Sequence, residues 1–218
     1  MTNWALTPAW DVLPNGLRLA RLPEARWRRS LVQVAASVGS ARTELTLAGQ
    51  PRTLAAGAAH LLEHVVGQRV IQALGDRPEI RVAANTGRWV TSYSIWQTEP
   101  DWPLVARLLA AVAAGGMGRS SSTSARWSPA RSPSARPTRP STPAALHAIY
   151  HRHPIRRPGV GRLDDLRSIW PAQLEQPHAW CYTAAGLTLW IAGPLAAAVD
   201  RAALGALHLP PGPARSTG

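Results

Sequence analysis

Apolar positions change period along this chain, and the changes mark out its elements. Trp10 to Leu13 and Leu17 to Leu22 flank Pro14-Asn15-Gly16. Asn-Gly accepts the positive φ of a tight turn, so the three segments predict a hairpin. Ser30 to Val38 alternates, with Val32, Val34, Ala36 and Val38 on one face and Gln33 and Ser37 on the other, the period of a half-buried strand. Leu54 to Leu74 is rich in Ala and Leu and free of proline, which predicts a helix. Arg81 to Trp96 combines β-branched and aromatic residues with turn punctuation at Asn85 and Gly87, predicting one or two strands. Asp101, as a cap before Pro103, opens a second helix with Leu104, Val105, Leu108, Leu109 and Val112 as its apolar stripe. Gly115-Gly116 stops that helix.

The periodicity then breaks. Arg119 to Pro143 contains only Ser, Thr, Pro, Arg and Ala besides Trp127. Such a run buries too little apolar surface to offset its ordering entropy, so it predicts disorder. Order resumes at Ala144 to Tyr150. A short helix is expected from Pro171 toward Tyr182, a buried strand over Leu187 to Ala192 and a terminal helix over Ala196 to Leu207. A Pro/Gly-rich tail covers 209–218.

Charge sharpens this picture. The net charge of +12 is concentrated between Asp101 and Asp164, where ten arginines meet no carboxylate. A groove-reading protein carries its basic footprint on an ordered face with base-reading side chains nearby. Here much of the charge lies in the low-complexity run, which argues against nucleic acid as the partner. No apolar run reaches the roughly 18–20 residues of a membrane span. Cys181 is the only cysteine, and the first residues lack a basic and an apolar signal region. All 24 basic residues are arginine, and phenylalanine is absent, as a very GC-rich gene would dictate. A bacterial cytoplasm is the expectation.

The chemistry lies in His60-Leu61-Leu62-Glu63-His64. Residues four apart share a helix face, so His60 and His64 offer two imidazoles to one metal ion. Glu63 beside them is placed to activate water as a general base. H-x-x-E-H is the inverzincin order.

Other segments extend the pattern. Leu13 to Leu17 is followed by Ser30–Glu44, ending Val38-Gly39-Ser40-Ala41-Arg42-Thr43-Glu44, and by Gly57-Ala58-Ala59 leading into the motif. Ala84-Asn85-Thr86 with Thr91 and Tyr93, Tyr150 to Pro154 with Gly159 to Leu163, and Leu187 to Gly193 complete the series. In this order the chain resembles the N-terminal half of the insulinase/pitrilysin metallopeptidases, which include the mitochondrial-processing-peptidase-like proteins. The resemblance implies an α+β fold, a mixed β-sheet covered by helices on one side. It implies one peptidase-like domain over 1–208, interrupted at 119–143. It further implies His60 and His64 as Zn2+ ligands, Glu63 as the catalytic base, and Asn85 as a residue that holds an extended peptide substrate against a strand edge. The activity implied is zinc-dependent endopeptidase, and the partner implied is a second homologous half or chain.

The chain departs from the family at the third ligand. Members take it from a glutamate on a later helix, at a position that falls near Arg139 to Ala144, and no acidic residue lies there. His147, His151, His153, Asp164 and Asp165 are the substitutes at hand, and the third ligand stays unassigned. The abrupt loss of acids over 117–143, with family-like sequence afterwards, reads as a shifted reading frame or as a true insert. A non-catalytic or truncated relative that pairs with an active homologous chain is the alternative to an enzyme.

The ten tryptophans are scattered, which predicts core and interface packing rather than a ligand cage. Cys181 is expected to be a small buried residue, and His151-Arg152-His153 a solvated loop.

Overall fold

The computed structural model describes residues 7–42, 44–47, 50–75, 77–99, 101–116, 153, 161 and 166–212. The expectations for 119–143, for Ala144 to Tyr150, for His147, His151, Asp164 and Asp165, and for the tail beyond 212 lie outside them.

The hairpin forms as predicted. Strands β1 (Ala9–Val12) and β2 (Arg18–Pro23) pair antiparallel, with Val12 opposite Arg18. Gly16 takes φ 84° at the turn. Asn15 does more than turn the chain: its Oδ1 accepts from Leu17 N, and its Nδ2 donates to Leu204 O and Leu207 O at 2.9 and 3.1 Å.

Five further strands of the chain's first hundred residues are β3 (Ser30–Ala36), β4 (Glu44–Leu47), β5 (Gln50–Thr53), β6 (Arg81–Thr86) and β7 (Thr91–Gln97). The last is β8 (Leu187–Gly193). Six strands form one mixed sheet in the order β1-β2-β8-β3-β7-β6. The β2–β8 pair is parallel and every other pair is antiparallel. β4 and β5 form a separate hairpin that the sequence reading did not anticipate.

Period-two alternation gives the sheet its two faces. Leu19, Leu189, Val34, Tyr93 and Ala84 stand opposite one another across five strands, and Ile191, Val32, Ile95 and Val82 form the next row. Most of these side chains are fully buried. Helix α1 (Ala58–Leu74) packs over β6 and β7, and α2 (Trp102–Ala113) packs against α1 and β3. Their buried residues, Leu62, Val66 and Val70 on α1 and Leu104, Leu108 and Val112 on α2, complete the core. Helix α3 (Pro171–Cys181) contributes Leu174 and Cys181, which is buried as expected. The fold is α+β, a mixed six-stranded sheet with helices.

Local chemistry sets the helix ends. Asp101 accepts a hydrogen bond from Leu104 N at 2.8 Å and caps α2 as the sequence predicted. At its other end Arg69 of α1 donates to the carbonyls of Ala114 and Gly116, whose φ is 82°. Two helical expectations are corrected. Helix α1 begins at Ala58 rather than Leu54, because Gly57 sits in left-handed backbone at φ 85°, ψ −7°, and Gln50–Thr53 are already committed to β5. The expected terminal helix is two pieces, a 3-10 helix (Pro194–Ala198) and α4 (Arg201–Gly205), since Asp200 accepts from Ala203 N and starts a new helix.

The tryptophans follow their expectation only in part, since Trp102 and Trp180 pack against the core half-buried. Among the described residues none is buried, and Trp10 and Trp170 are 53% and 73% exposed. Trp10 and Trp190 meet edge to face at 4.9 Å in the sheet row that alternates with the core rows.

Candidate metal centre and active site

The left-handed start at Gly57 places His60 in the first turn of α1 and His64 one turn later. Glu63 and Val66 face the core, while His64 is exposed and His60 half-buried, so the cluster straddles the rim of the helix–sheet interface. The two rings are edge to face, with centroids 4.6 Å apart and planes at 84°. Their Nε2 atoms are 3.2 Å apart.

That spacing bears on metal capacity. Zinc–nitrogen bonds of about 2.0–2.1 Å in a tetrahedral site separate two ligand nitrogens by roughly 3.3 Å. The 3.2 Å between the His60 and His64 nitrogens matches that ligand separation. His60 Nδ1 lies 3.2 Å from Glu63 Oε2, so the carboxylate neighbours one nitrogen of the ring while the other faces His64. The fit is incomplete: among the described residues no group of three or more His, Cys, Asp or Glu side chains is placed to hold a metal ion. His153, one of the proposed substitutes, lies with its ring 6.3 Å from that of Trp89.

Thr86 is the residue that sequence reasoning missed. It ends β6, and its Oγ1 donates to Glu63 Oε2 at 2.8 Å. The signal was available in the alternation: Ala84 approaches Gly67 of α1, so Thr86, two residues on, also faces the helix. Asn85 falls between them, opposite Ser92, and its side chain occupies the other face of the sheet. The histidines and Glu63 are brought together as predicted; Asn85 joins them only through its place on β6, the last strand of the sheet order.

No family model matches the sequence, and no curated protein matches it. Solved structures do match the fold. A putative M16-like peptidase from Alicyclobacillus acidocaldarius superposes with a TM-score of 0.73 at 22% identity, over 97% of this chain and 52% of that one. The peptidase M16 inactive domain from Pseudomonas fluorescens gives 0.66 at 16% identity, over 97% and 53%. The periplasmic protease PqqL from Escherichia coli gives 0.65 at 18% identity, over 96% and 25%. Pitrilysin itself is similar at a TM-score of 0.58. The chain has the insulinase/pitrilysin-type fold. It spans about half the length of the first of these structures.

Within this pitrilysin-type fold the electrostatics favour a charged Glu63. Burial pushes the Glu63 carboxyl up, yet the hydrogen bonds from His60 and Thr86, with the nearby histidine charge, outweigh it and leave the pKa lowered. Burial, and then the charge of His60, hold His64 below its ordinary value. Beneath the motif lies a buried aromatic pair, Tyr93 and Tyr182, with hydroxyls 3.0 Å apart. Burial raises both phenols well above the usual range, so they stay neutral. His178 stacks on Tyr182 at 4.6 Å and 9°, and burial followed by the Arg69 charge pushes it down to about 4.

Proposed function

We propose that this chain is the metal-binding unit of a zinc-dependent endopeptidase of the insulinase/pitrilysin type. The observation that carries the reading is the pair of imidazole Nε2 atoms 3.2 Å apart beside a carboxylate held by His60 and Thr86. His60 and His64 would hold the zinc. When bound, zinc supplies Lewis-acid polarisation of the scissile carbonyl and makes water a stronger acid.

The chain's own residues do the rest. Glu63, kept ionised by its two donors, accepts a proton from the attacking water and delivers it to the departing amide nitrogen. The backbone around Asn85, on the edge of β6, receives an extended peptide by strand addition. A second homologous half or partner chain encloses the peptide, in keeping with matched structures about twice this length. The single domain over 1–208 supplies the zinc side of that enclosure.

The test is metal content together with hydrolysis. Purified protein should bind about one zinc per chain, as catalytic zinc sites do, and Glu63→Gln should keep the metal while losing cleavage of an unstructured peptide. A chain that binds no zinc at micromolar metal sinks the reading.

A second reading has its own support. The lack of an acidic residue from Arg139 to Ala144, where the resemblance places the third ligand, and the similarity to an inactive M16 domain favour a non-catalytic subunit that pairs with an active homologous chain. Zinc-free protein that still associates with such a chain supports it.

A further inference from the structure

Two donors converge on one oxygen of Glu63. His60 Nδ1 and Thr86 Oγ1 both reach Oε2, at 3.2 and 2.8 Å. Among the described residues nothing hydrogen-bonds Oε1. The two donors also differ in origin. His60 sits on the same helix as Glu63, so it moves with it, whereas Thr86 is anchored to the sheet. It ends β6 opposite Thr91, and the turn that follows closes through Gly87 N to Val90 O at 2.9 Å. That turn is clasped from outside: Ser40 N and Oγ donate to Gly87 O, and Ala41 N donates to Arg88 O. Gly39 allows the approach, since a Cβ there would stand 2.5 Å from Arg88 O. Thr86 is therefore the fixed point against which the helix-borne carboxylate is set.

We propose that Thr86 is a positioning residue whose hydroxyl pins Oε2 of Glu63, leaving Oε1 as the oxygen that takes the proton. This rests on the peptidase reading above. A carboxylate with one oxygen tied to the sheet loses its rotation about the terminal torsion, a broad and weakly held one when free. Catalytic groups displaced by an ångström lose roughly a hundredfold in rate, so a tether on the non-reacting oxygen acts on turnover rather than on peptide binding.

The experiment compares Thr86→Val, which removes the hydroxyl, with Thr86→Ser, which keeps it, in the zinc-loaded full chain acting on a fluorogenic unstructured peptide. Thr86→Val should lower kcat roughly ten- to hundredfold with KM within about twofold and zinc content unchanged. Thr86→Ser should recover most of kcat. In parallel, urea unfolding of the metal-free protein is measured for Thr86→Val, Glu63→Ala and the double variant. The midpoint shift caused by Thr86→Val should vanish when Glu63 is already alanine. Additive midpoint shifts, or a Thr86→Ser variant as slow as Thr86→Val, overturn the assignment. An inactive wild type overturns the peptidase reading alone; the unfolding cycle then decides the tether, non-additivity supporting it and additivity ending it.

Discussion

The Nε2 atoms of His60 and His64 face each other across 3.2 Å on adjacent turns of α1. A ligand that bridges them binds only the folded chain, because the unfolded chain has no fixed spacing. Zinc at a hundred times its dissociation constant should therefore stabilise the protein by about 2.7 kcal/mol. Differential scanning calorimetry should show Tm rising with zinc concentration, and His64→Ala should remove the rise. A zinc-induced Tm shift that survives His64→Ala would mean the metal binds elsewhere.

Much of this was legible in the residue pattern. Asp101 with Pro103 announced α2 because capping is a local interaction, and Val32, Val34 and Ala36 announced β3 because alternation is local too. The motif histidines met because four residues make one helical turn. What escaped were relationships set by distant parts. Thr86 reaches Glu63 only once β6 is registered against β7 under α1. Of the β4–β5 hairpin, Glu44–Leu47 with Gln50–Thr53, the second strand is exposed throughout and carries no alternation of buried and exposed positions to betray it. Tryptophan misled in the other direction: size suggested core, yet Leu19, Leu189, Val34, Ile191 and Ile95 fill the core rows, and among the described residues Trp102 and Trp180 only pack against that core half-buried.

Acid should destabilise the fold through His178. Its folded pKa is held near 4, below the ordinary value of 6.5, so the neutral ring is the one the fold accepts. The unfolded chain takes up the proton first as pH drops, so this contribution is complete above about 6.5, declines between about 6.5 and 4, and is gone below. At about 1.4 kcal/mol per pKa unit the loss is on the order of 3 kcal/mol. His64, also lowered, acts in the same direction. Urea midpoints measured from pH 7.5 to 4 should fall, and His178→Phe should flatten the decline; an unchanged slope in that variant rules the histidine out as its source.

The Tyr93–Tyr182 hydroxyl pair is buried and 3.0 Å apart. Tyr93→Phe strips Tyr182 of that partner and should cost about 1–2 kcal/mol. Replacing both tyrosines with phenylalanine should cost less than the two single losses added together, since no orphaned hydroxyl remains. Chemical denaturation of the three variants checks it, and strictly additive losses contradict the pairing.

Two glycines should respond oppositely to alanine. At Gly39 an added Cβ meets the backbone of Arg88 and Trp89 at 2.5–2.6 Å, and Gly39→Ala should destabilise by about 1–3 kcal/mol. At Gly67, inside α1, the new Cβ meets only Ala84 Cβ at 3.6 Å. Gly67→Ala should stabilise by about 0.5–1 kcal/mol through helix propensity. Equilibrium unfolding distinguishes the two, and a loss at Gly67 would mean α1 needs a closer approach to β6 than its present spacing.

The position of β8 sets the timetable of biogenesis. This strand, Leu187–Gly193, lies between β2 and β3, strands made from the first forty residues. A nascent chain emerging from the ribosome therefore carries two unsatisfied strand edges until residues 187–193 have been translated. Non-local pairing of this kind folds slowly and exposes aggregation-prone edges meanwhile. Expression at low temperature or with chaperones that shield such edges should raise the soluble yield, and ending translation before Leu187 should send the product to inclusion bodies.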